Sequence, residues 1–341
     1  MGLPLVFQKY RGEIDRELRA VLASSDSTMY DMLRYQLGWI DEQGKSLLIP
    51  SGKALRPTLC LLSSESISGS FERALPAAAA IELMHNFSLI HDDVQDNDRK
   101  RRHRSSVWAI WGKPQAINAG DAMRILASAS MLRLSDRDLP VERVLRALML
   151  LDETCLRLIE GQYLDISYEN RLDVRTRDYL KMAEGKTAAL ISCSLEMGAL
   201  LATEDTCTIQ AFSNCGKNLG LAFQIKDDLL GIWGDKAKLG KPVGSDILRK
   251  KKTYPIAFAW EKADELARTM IERIYQRDKV DDSGRDVILN ILDDLHAKEQ
   301  TQTMVDMFCD RAWSEIECFL PSPWAHDRFE EVISFLTERE Y

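Results

Sequence analysis

Apolar residues recur three and four positions apart along most of this chain, the spacing that lines one face of an α-helix. The segments "IDRELRAVL", "AAAAIELMHNFSLI", "VLRALMLLDETCLRLIEGQYLDI", "TAALISCSLEMGALLA" and "VILNILDDLHAKEQTQTMVDMF" all carry it. No convincing run alternates with the period of two that marks a strand. Clusters of Gly, Pro and Ser interrupt the pattern at "IPSGKALRP", "RHRSSVWAIWGKPQ", "SDRDLPVE", "LGKPVGSD" and "LPSPW". Each is of loop length, and none is long or polar enough to link two domains. The stretch 187–202 is apolar nearly all round, which places it inside a large bundle. The expectation is one all-α domain over residues 1–341.

Composition adds exclusions. A hydrophobic content of 45% with 29% charged residues describes an ordinary globular chain and not a disordered one. The formal charge of −8 argues against a surface built to bind nucleic acid, which needs phosphate-neutralising charge. The seven cysteines form no C-x-x-C pair, so a reducing compartment is expected and neither a disulfide framework nor a zinc site. The N-terminus meets charge too early for a secretory signal, and "MGLPLV" lacks the Ser or Thr of a myristoylation site. No stretch approaches about 18 uninterrupted apolar residues, so no membrane span is expected and the location reads as cytoplasmic.

The candidate chemistry begins at "FSLIHDDVQDND", residues 87–98, followed at once by "RKRRHR". On a helix, Asp92 and Asp96 lie about 40° apart on one face, with His85 nearly aligned and Asp93 to the side. Two carboxylates one turn apart repel unless a cation sits between them. Hard oxygen ligands at the end of a buried helix point to Mg2+. The pairs Asp281–Asp282 and Asp293–Asp294 lack such surroundings and read as surface charge. A second apolar helix, "GLAFQIKDDLLGIWGD", again delivers two carboxylates, Asp227 and Asp228, beside Gln224. Two facing walls of this kind would let Mg2+ bridge a diphosphate.

Basic groups occur near glycine turns: Lys53 and Arg56 in "SGKALRP", Arg101 and Arg102 after the acidic motif, Lys186 with Thr187 in "EGKTAALI", and Lys241 and Lys251 in "GKPVGSDILRKKKTYP". The "GKT" string lacks the spacing and the preceding strand of a phosphate loop. Several separate basic segments in an acidic chain fit more than one polyphosphate group.

In order, "GKALRP", "LMHNFSLIHDDVQDND", "RR", "GQYLD", "KT" and "FQIKDDLLGIWGD…GKPVGSD…KKTYP" resemble the motifs of trans-isoprenyl diphosphate synthases, the polyprenyl synthetases, over about residues 50–260. The resemblance implies an all-α isoprenoid synthase fold, a large helical bundle around a central apolar cavity, and a homodimer. It implies a prenyltransferase that joins isopentenyl diphosphate head-to-tail (1′-4) to an allylic diphosphate such as dimethylallyl, geranyl or farnesyl diphosphate. Mg2+ is the implied cofactor, three ions per site with diphosphate bound. Carried over residue by residue, Asp92 and Asp96 bind metal with Asp93 in support, and Asp227 anchors metal from the opposite wall. Asp92, Asp96, Asp227 and Lys186 form the implied catalytic set. Arg101, Lys186, Thr187, Gln224, Lys241 and Lys251 hold the allylic diphosphate; Lys53, Arg56, His85 and Arg102 hold isopentenyl diphosphate. The helices at 77–91, 118–134 and 187–202 would wall a dry tunnel that protects a carbocation from water.

Three departures stand out. Ala54 occupies a usual arginine position, Gly231 replaces the last aspartate of the second acidic motif and leaves Asp235 as the next carboxylate, and His103 with Ser105–Ser106 replaces the common G-x-P-T. Phe87 and Ser88, five and four positions before Asp92, resemble the arrangement in synthases making the C20 product geranylgeranyl diphosphate, with the C15 product farnesyl diphosphate next. Helical spacing alone does not fix which of the two meets the chain tip. Two alternatives differ in signature. A class I terpene cyclase has no use for the second anion site at Lys53, Arg56, His85 and Arg102; a non-catalytic subunit would have lost the first acidic motif or the basic anchors.

Overall fold

The computed structural model describes residues 4–23, 27–47, 52–102, 104–234 and 243–338. In chain order the helices are α1 (Leu5–Leu22), α2 (Thr28–Gln36), α3 (Leu55–Ser68), α4 (Leu75–Gln95), α5 (Val107–Trp111), α6 (Lys113–Leu132), α7 (Val141–Tyr168), α8 (Thr176–Ala183), α9 (Ala189–Ala202) and α10 (Thr206–Trp233). They continue as α11 (Ser245–Leu248), α12 (Tyr254–Lys262), α13 (Glu265–Tyr275), α14 (Asp282–Asp294), α15 (Ala297–Ile316) and α16 (Pro323–Glu338). The fold is all-α, as the periodicity predicts. A two-residue antiparallel ladder, Lys100–Arg101 with Arg104–Ser105, turns the basic run after α4 back on itself. The break predicted around residue 110 holds the short helix α5. The segment read as continuous from 287 to 308 is two helices, because His296 takes φ +51° and ends α14 before α15 begins.

The described chain divides into two compact units. The first comprises residues 4–153 and 194–209, the second 154–193 and 210–338. In the first unit α4 packs most extensively on α6. Ala77–Ala80 of α4 and Ala116, Ala119 and Ala127 of α6 are all fully buried, and their small side chains permit close approach. Ser130 Oγ adds a buried bond to the Pro76 carbonyl at 2.8 Å. Pro76 lies in the first turn of α4, where its missing N–H costs nothing. From Pro57 to Ser64 helix α3 is buried on every side, Leu59, Cys60, Leu61 and Leu62 being at 0% exposure.

The second unit has a core of Ile232, Ile247, Ile256, Ile271, Ile274, Ile288 and Leu292 drawn from α10 to α14. Phe212 of α10 meets Phe329 of α16 edge to face, with ring centroids 5.6 Å apart. Between α8 and α9 the helix widens into one π turn, Glu184–Ala188. That turn is pressed on α7 at Gly161, where a Cβ would come within 2.0 Å of the Lys186 nitrogen. Gly161 is therefore a packing requirement.

Candidate active site

In the first unit the site grows from one face of α4. Glu82, His85, Leu89 and Asp92 are its partly open positions, three or four residues apart, and Asp96 is exposed at the C-cap. As far as Ile90 the rest of the helix is buried. Asp93 points the other way, at 2% exposure, and accepts from Arg101 Nε at 2.9 Å and Nη2 at 2.8 Å on Oδ1. Burial pushes its carboxyl up, and Arg101 opposes that push. Asp93 Oδ2 is buried without a hydrogen-bond donor among the described residues. Asp93 is thus buried on Arg101, while Asp92 is half-buried and Asp96 exposed.

Arg102 diverges from Arg101. Its guanidinium lies over the turn before α3, where Gly52 takes φ +83° and a Cβ would stand 2.4 Å from Arg102 Nη1. Arg56 Nη1 lies 3.2 Å from His85 Nε2. Burial, and then the charges of Arg56, Arg102 and Arg101, hold His85 well below the usual imidazole range. His85 is therefore neutral and its Nε2 accepts from Arg56. Lys53 sits exposed at the approach to α3. The predicted residues Lys53, Arg56, His85 and Arg102 are placed where the start of α3 meets the middle of α4, a cation-rich corner suited to an anion. Ala54 takes φ +47° as the residue before α3, a left-handed conformation that a side chain strains to adopt.

In the second unit the other acidic pair divides in the same manner. Asp227 is exposed, and Asp228 is 6% exposed. Asp228 Oδ2 accepts from the Tyr254 backbone N at 2.9 Å, fixing the start of α12, and Oδ1 accepts from Gln224 Nε2 at 3.0 Å. Burial pushes Asp228 up to about 7 against those bonds. Gln224 Oε1 in turn accepts from Thr187 Oγ1 at 2.6 Å, so the π turn is tied to the acidic motif. Lys186, from the same turn, pairs with Asp165 of the "GQYLD" segment. Lys251 Nζ lies 3.7 Å from Asp246. A Cβ at Gly231 would stand 2.2 Å from Asp246 Oδ2, so the carboxylate of Asp246 occupies the space that the expected aspartate would need. Lys241 and Asp235 lie outside the described residues, as does His103.

Sequence reasoning passed over Asp165 and Asp246. Asp165 and Asp246 sit inside strings already singled out, and their partners Lys186 and Lys251 were the available signal. Asp281, by contrast, is spent capping α14, accepting from the Gly284 N–H at 2.8 Å.

The donor set is suited to Mg2+. Among the described residues no group of three or more His, Cys, Asp or Glu forms an all-protein cage. Few exposed or half-buried carboxylates per motif (Asp92 and Asp96 in the first, Asp227 in the second), with an orphaned carboxylate oxygen on Asp93, match an ion that keeps water and substrate oxygens in its shell.

The polyprenyl synthetase family model matches residues 38–292. A (2E,6E)-farnesyl diphosphate synthase of Mycobacterium tuberculosis is 46% identical over 241 residues, 71% of this chain and 66% of that protein, so the match spans just under two thirds of the relative. A geranylgeranyl diphosphate synthase of the same organism is 40% identical over 271 residues, 80% of this chain and 76% of that protein. Among solved structures, a polyprenyl synthetase of Streptomyces coelicolor superposes with a TM-score of 0.90 at 33% identity, covering 98% of this chain and 99% of the other. A geranylgeranyl pyrophosphate synthetase of Pyrococcus horikoshii gives 0.88 at 32% identity, covering 98% and 97%.

Proposed function

This chain belongs to the polyprenyl synthetase family, and from that premise we propose that it joins isopentenyl diphosphate head-to-tail to an allylic diphosphate, with geranylgeranyl diphosphate as the main product and farnesyl diphosphate as the lesser one. The observation that carries the reading is the shared division of the two acidic pairs. In each, the second carboxylate is buried and hydrogen-bonded by protein while the first is the more exposed of the two, on the side from which metal and diphosphate would come.

Bound Mg2+ would neutralise charge on the departing diphosphate. Asp92 and Asp96 would hold it from the first acidic helix, with Asp93 locked behind them by Arg101, and Asp227 would hold it from the second. Lys186, held by Asp165, and Lys241 and Lys251 supply further donors for the allylic diphosphate as its carbon–oxygen bond breaks, with Thr187 and Gln224, bonded to each other, completing that set. Lys53, Arg56, neutral His85 and Arg102 hold isopentenyl diphosphate, whose double bond attacks the allylic cation. No protein nucleophile is required, and the released diphosphate takes the proton.

Product length tests the reading in detail. Phe87 is 6% exposed and meets the His91 ring edge to face, centroids 4.9 Å apart, while Ser88 Oγ donates to the His85 carbonyl at 2.8 Å. Radiolabelled isopentenyl diphosphate supplied with each allylic primer should give a C20 product. Phe87→Ala should lengthen it and Ser88→Phe should shorten it; unchanged distributions in both variants would place the tunnel floor elsewhere, and no product with any primer would remove the reading.

A homodimer is part of the proposal. In the first unit, Ile125 and Leu132, seven residues apart on α6, and Val141, Leu145 and Met149, four apart on α7, are 53–68% exposed, apolar positions that a second copy of the chain would cover. Light scattering should return a dimer mass for the wild type and a monomer mass for Leu145→Glu combined with Met149→Glu. A monomeric wild type would refute it. No helix among the described residues is long and apolar enough to cross a membrane.

A further inference from the structure

Helix α4 ends on Asp96, so one of the carboxylates proposed for metal stands on a last helical turn, where backbone groups run out of intrahelical partners. Asp92, a full turn earlier, has helix on both sides of it. The residues after Asp96 make up the difference. Asn97 takes φ +56°, a left-handed conformation that asparagine tolerates better than most side chains. The Asp98 N–H then reaches back to the Asp93 carbonyl at 3.0 Å, the bond that closes a Schellman cap. Glycine is the usual residue at such a turn, and Asn97 adds what glycine lacks, a side-chain acceptor.

Each residue of that turn is held from outside α4. Asn97 Oδ1 accepts from Lys113 Nζ, at the start of α6, at 2.5 Å. The Asp98 carbonyl accepts from Trp108 Nε1 of α5 at 2.9 Å, and the Arg99 carbonyl accepts from the Ser106 N–H at 2.9 Å. The half-buried Trp108 ring has the Arg99 guanidinium and the Lys113 ammonium each 5.4 Å from its centroid, so one aromatic ring gathers both cations of the turn.

We propose that Trp108 and Lys113 are positioning residues for Asp96, holding the turn behind it so that its carboxylate is already aimed when Mg2+ arrives. The inference rests on the metal role proposed for Asp96. A carboxylate on a loose helix end loses backbone as well as side-chain freedom on taking a metal, and that loss is subtracted from binding. Supports that stand behind a ligand tune metal affinity by removing this freedom beforehand. The indole N–H is the specific element. A ring without it would still face Arg99 and Lys113, and the Asp98 carbonyl would lose that donor.

Mg2+ titrated calorimetrically into the full chain with saturating inorganic diphosphate, beside steady-state rates over a range of Mg2+, tests this. Trp108→Phe should weaken Mg2+ binding about tenfold, the low end of what losing an outer support costs a metal site. Raised Mg2+ should recover most of the lost rate, and the KM for isopentenyl diphosphate should move less than about twofold. Lys113→Met, an exposed change that leaves the core alone, should weaken Mg2+ binding about threefold, and Lys113→Arg, which keeps a donor, should do less. In an Asp96→Ala background the turn has no ligand left to aim, and Trp108→Phe should then change Mg2+ binding by less than about twofold. Unchanged Mg2+ binding in both Trp108→Phe and Lys113→Met, or an equal loss with and without Asp96, would overturn the assignment. Wild-type protein that takes up no Mg2+ with diphosphate would instead overturn the metal role beneath it.

Discussion

Asp92→Ala and Asp96→Ala, each made alone, should cut prenyl-transfer turnover by about 10³-fold or more while the helical circular dichroism signal and the melting temperature hold. The loss is large because these carboxylates are proposed to place metal on an oxygen whose charge grows as the allylic bond breaks. An interaction strengthened in the transition state costs rate directly when removed. The fold is spared because both side chains lie at the open end of α4, where truncation leaves no buried cavity. Asp293→Ala, on the exposed end of α14, is the matched control and should leave turnover within about twofold. Full activity in Asp92→Ala, or equal damage from Asp293→Ala, would refute the assignment of the first acidic motif.

In the second unit the two neighbouring carboxylates should fail in different ways. Asp227→Ala should lower turnover by about 10²-fold or more at an unchanged melting temperature, and raised Mg2+ should restore only part of it. Asp228→Ala should lower the melting temperature itself. It leaves the buried Tyr254 N–H and Gln224 Nε2 without their acceptor, and each orphaned donor costs about 1–3 kcal/mol. Asp235→Ala should do little by comparison. Thermal melts and initial rates on the three variants separate these outcomes. If Asp235→Ala is the most damaging to rate, that residue has taken over the carboxylate missing at Gly231; if Asp228→Ala melts like the wild type, its bonds to α12 do not matter to the fold.

Residue spacing alone already sorted the carboxylates of the first acidic motif, whereas the roles proposed for the basic residues came from the resemblance. Helical phase alone distinguished Asp92 and Asp96 from Asp93, and the structure places Asp93 inward on Arg101. Phase could not choose between Asp227 and Asp228, because Gly231 leaves no carboxylate four positions on to mark a face, and the choice depends on Tyr254, a residue brought in from 26 positions away. The same limit hid Trp108. In sequence it is one aromatic residue in a break between helices, and its meaning comes from the Asp98 carbonyl that its indole N–H meets. Gly231 read as a lost ligand, and the position of Asp246 shows a site already filled by another carboxylate. The break at His296 was invisible because the apolar period continues across it, and a left-handed backbone at histidine leaves no compositional mark.

The π turn at Glu184–Ala188 bears on how this chain tolerates insertions and deletions. A π turn is an α-helix that has absorbed one extra residue, and such bulges persist mostly where they serve a site. Removing any one residue there would let α8 run into α9 as a more regular and easier helix to form. It would also rotate α8 against α9 by about 100° around the shared helix axis. Lys186 and Thr187 could then not both keep Asp165 and Gln224 as partners. The rotation would also turn the buried face of α8, Tyr179, Met182 and Ala183, out of its place, so a more regular helix here comes at the cost of both packing and the residues proposed for the allylic diphosphate.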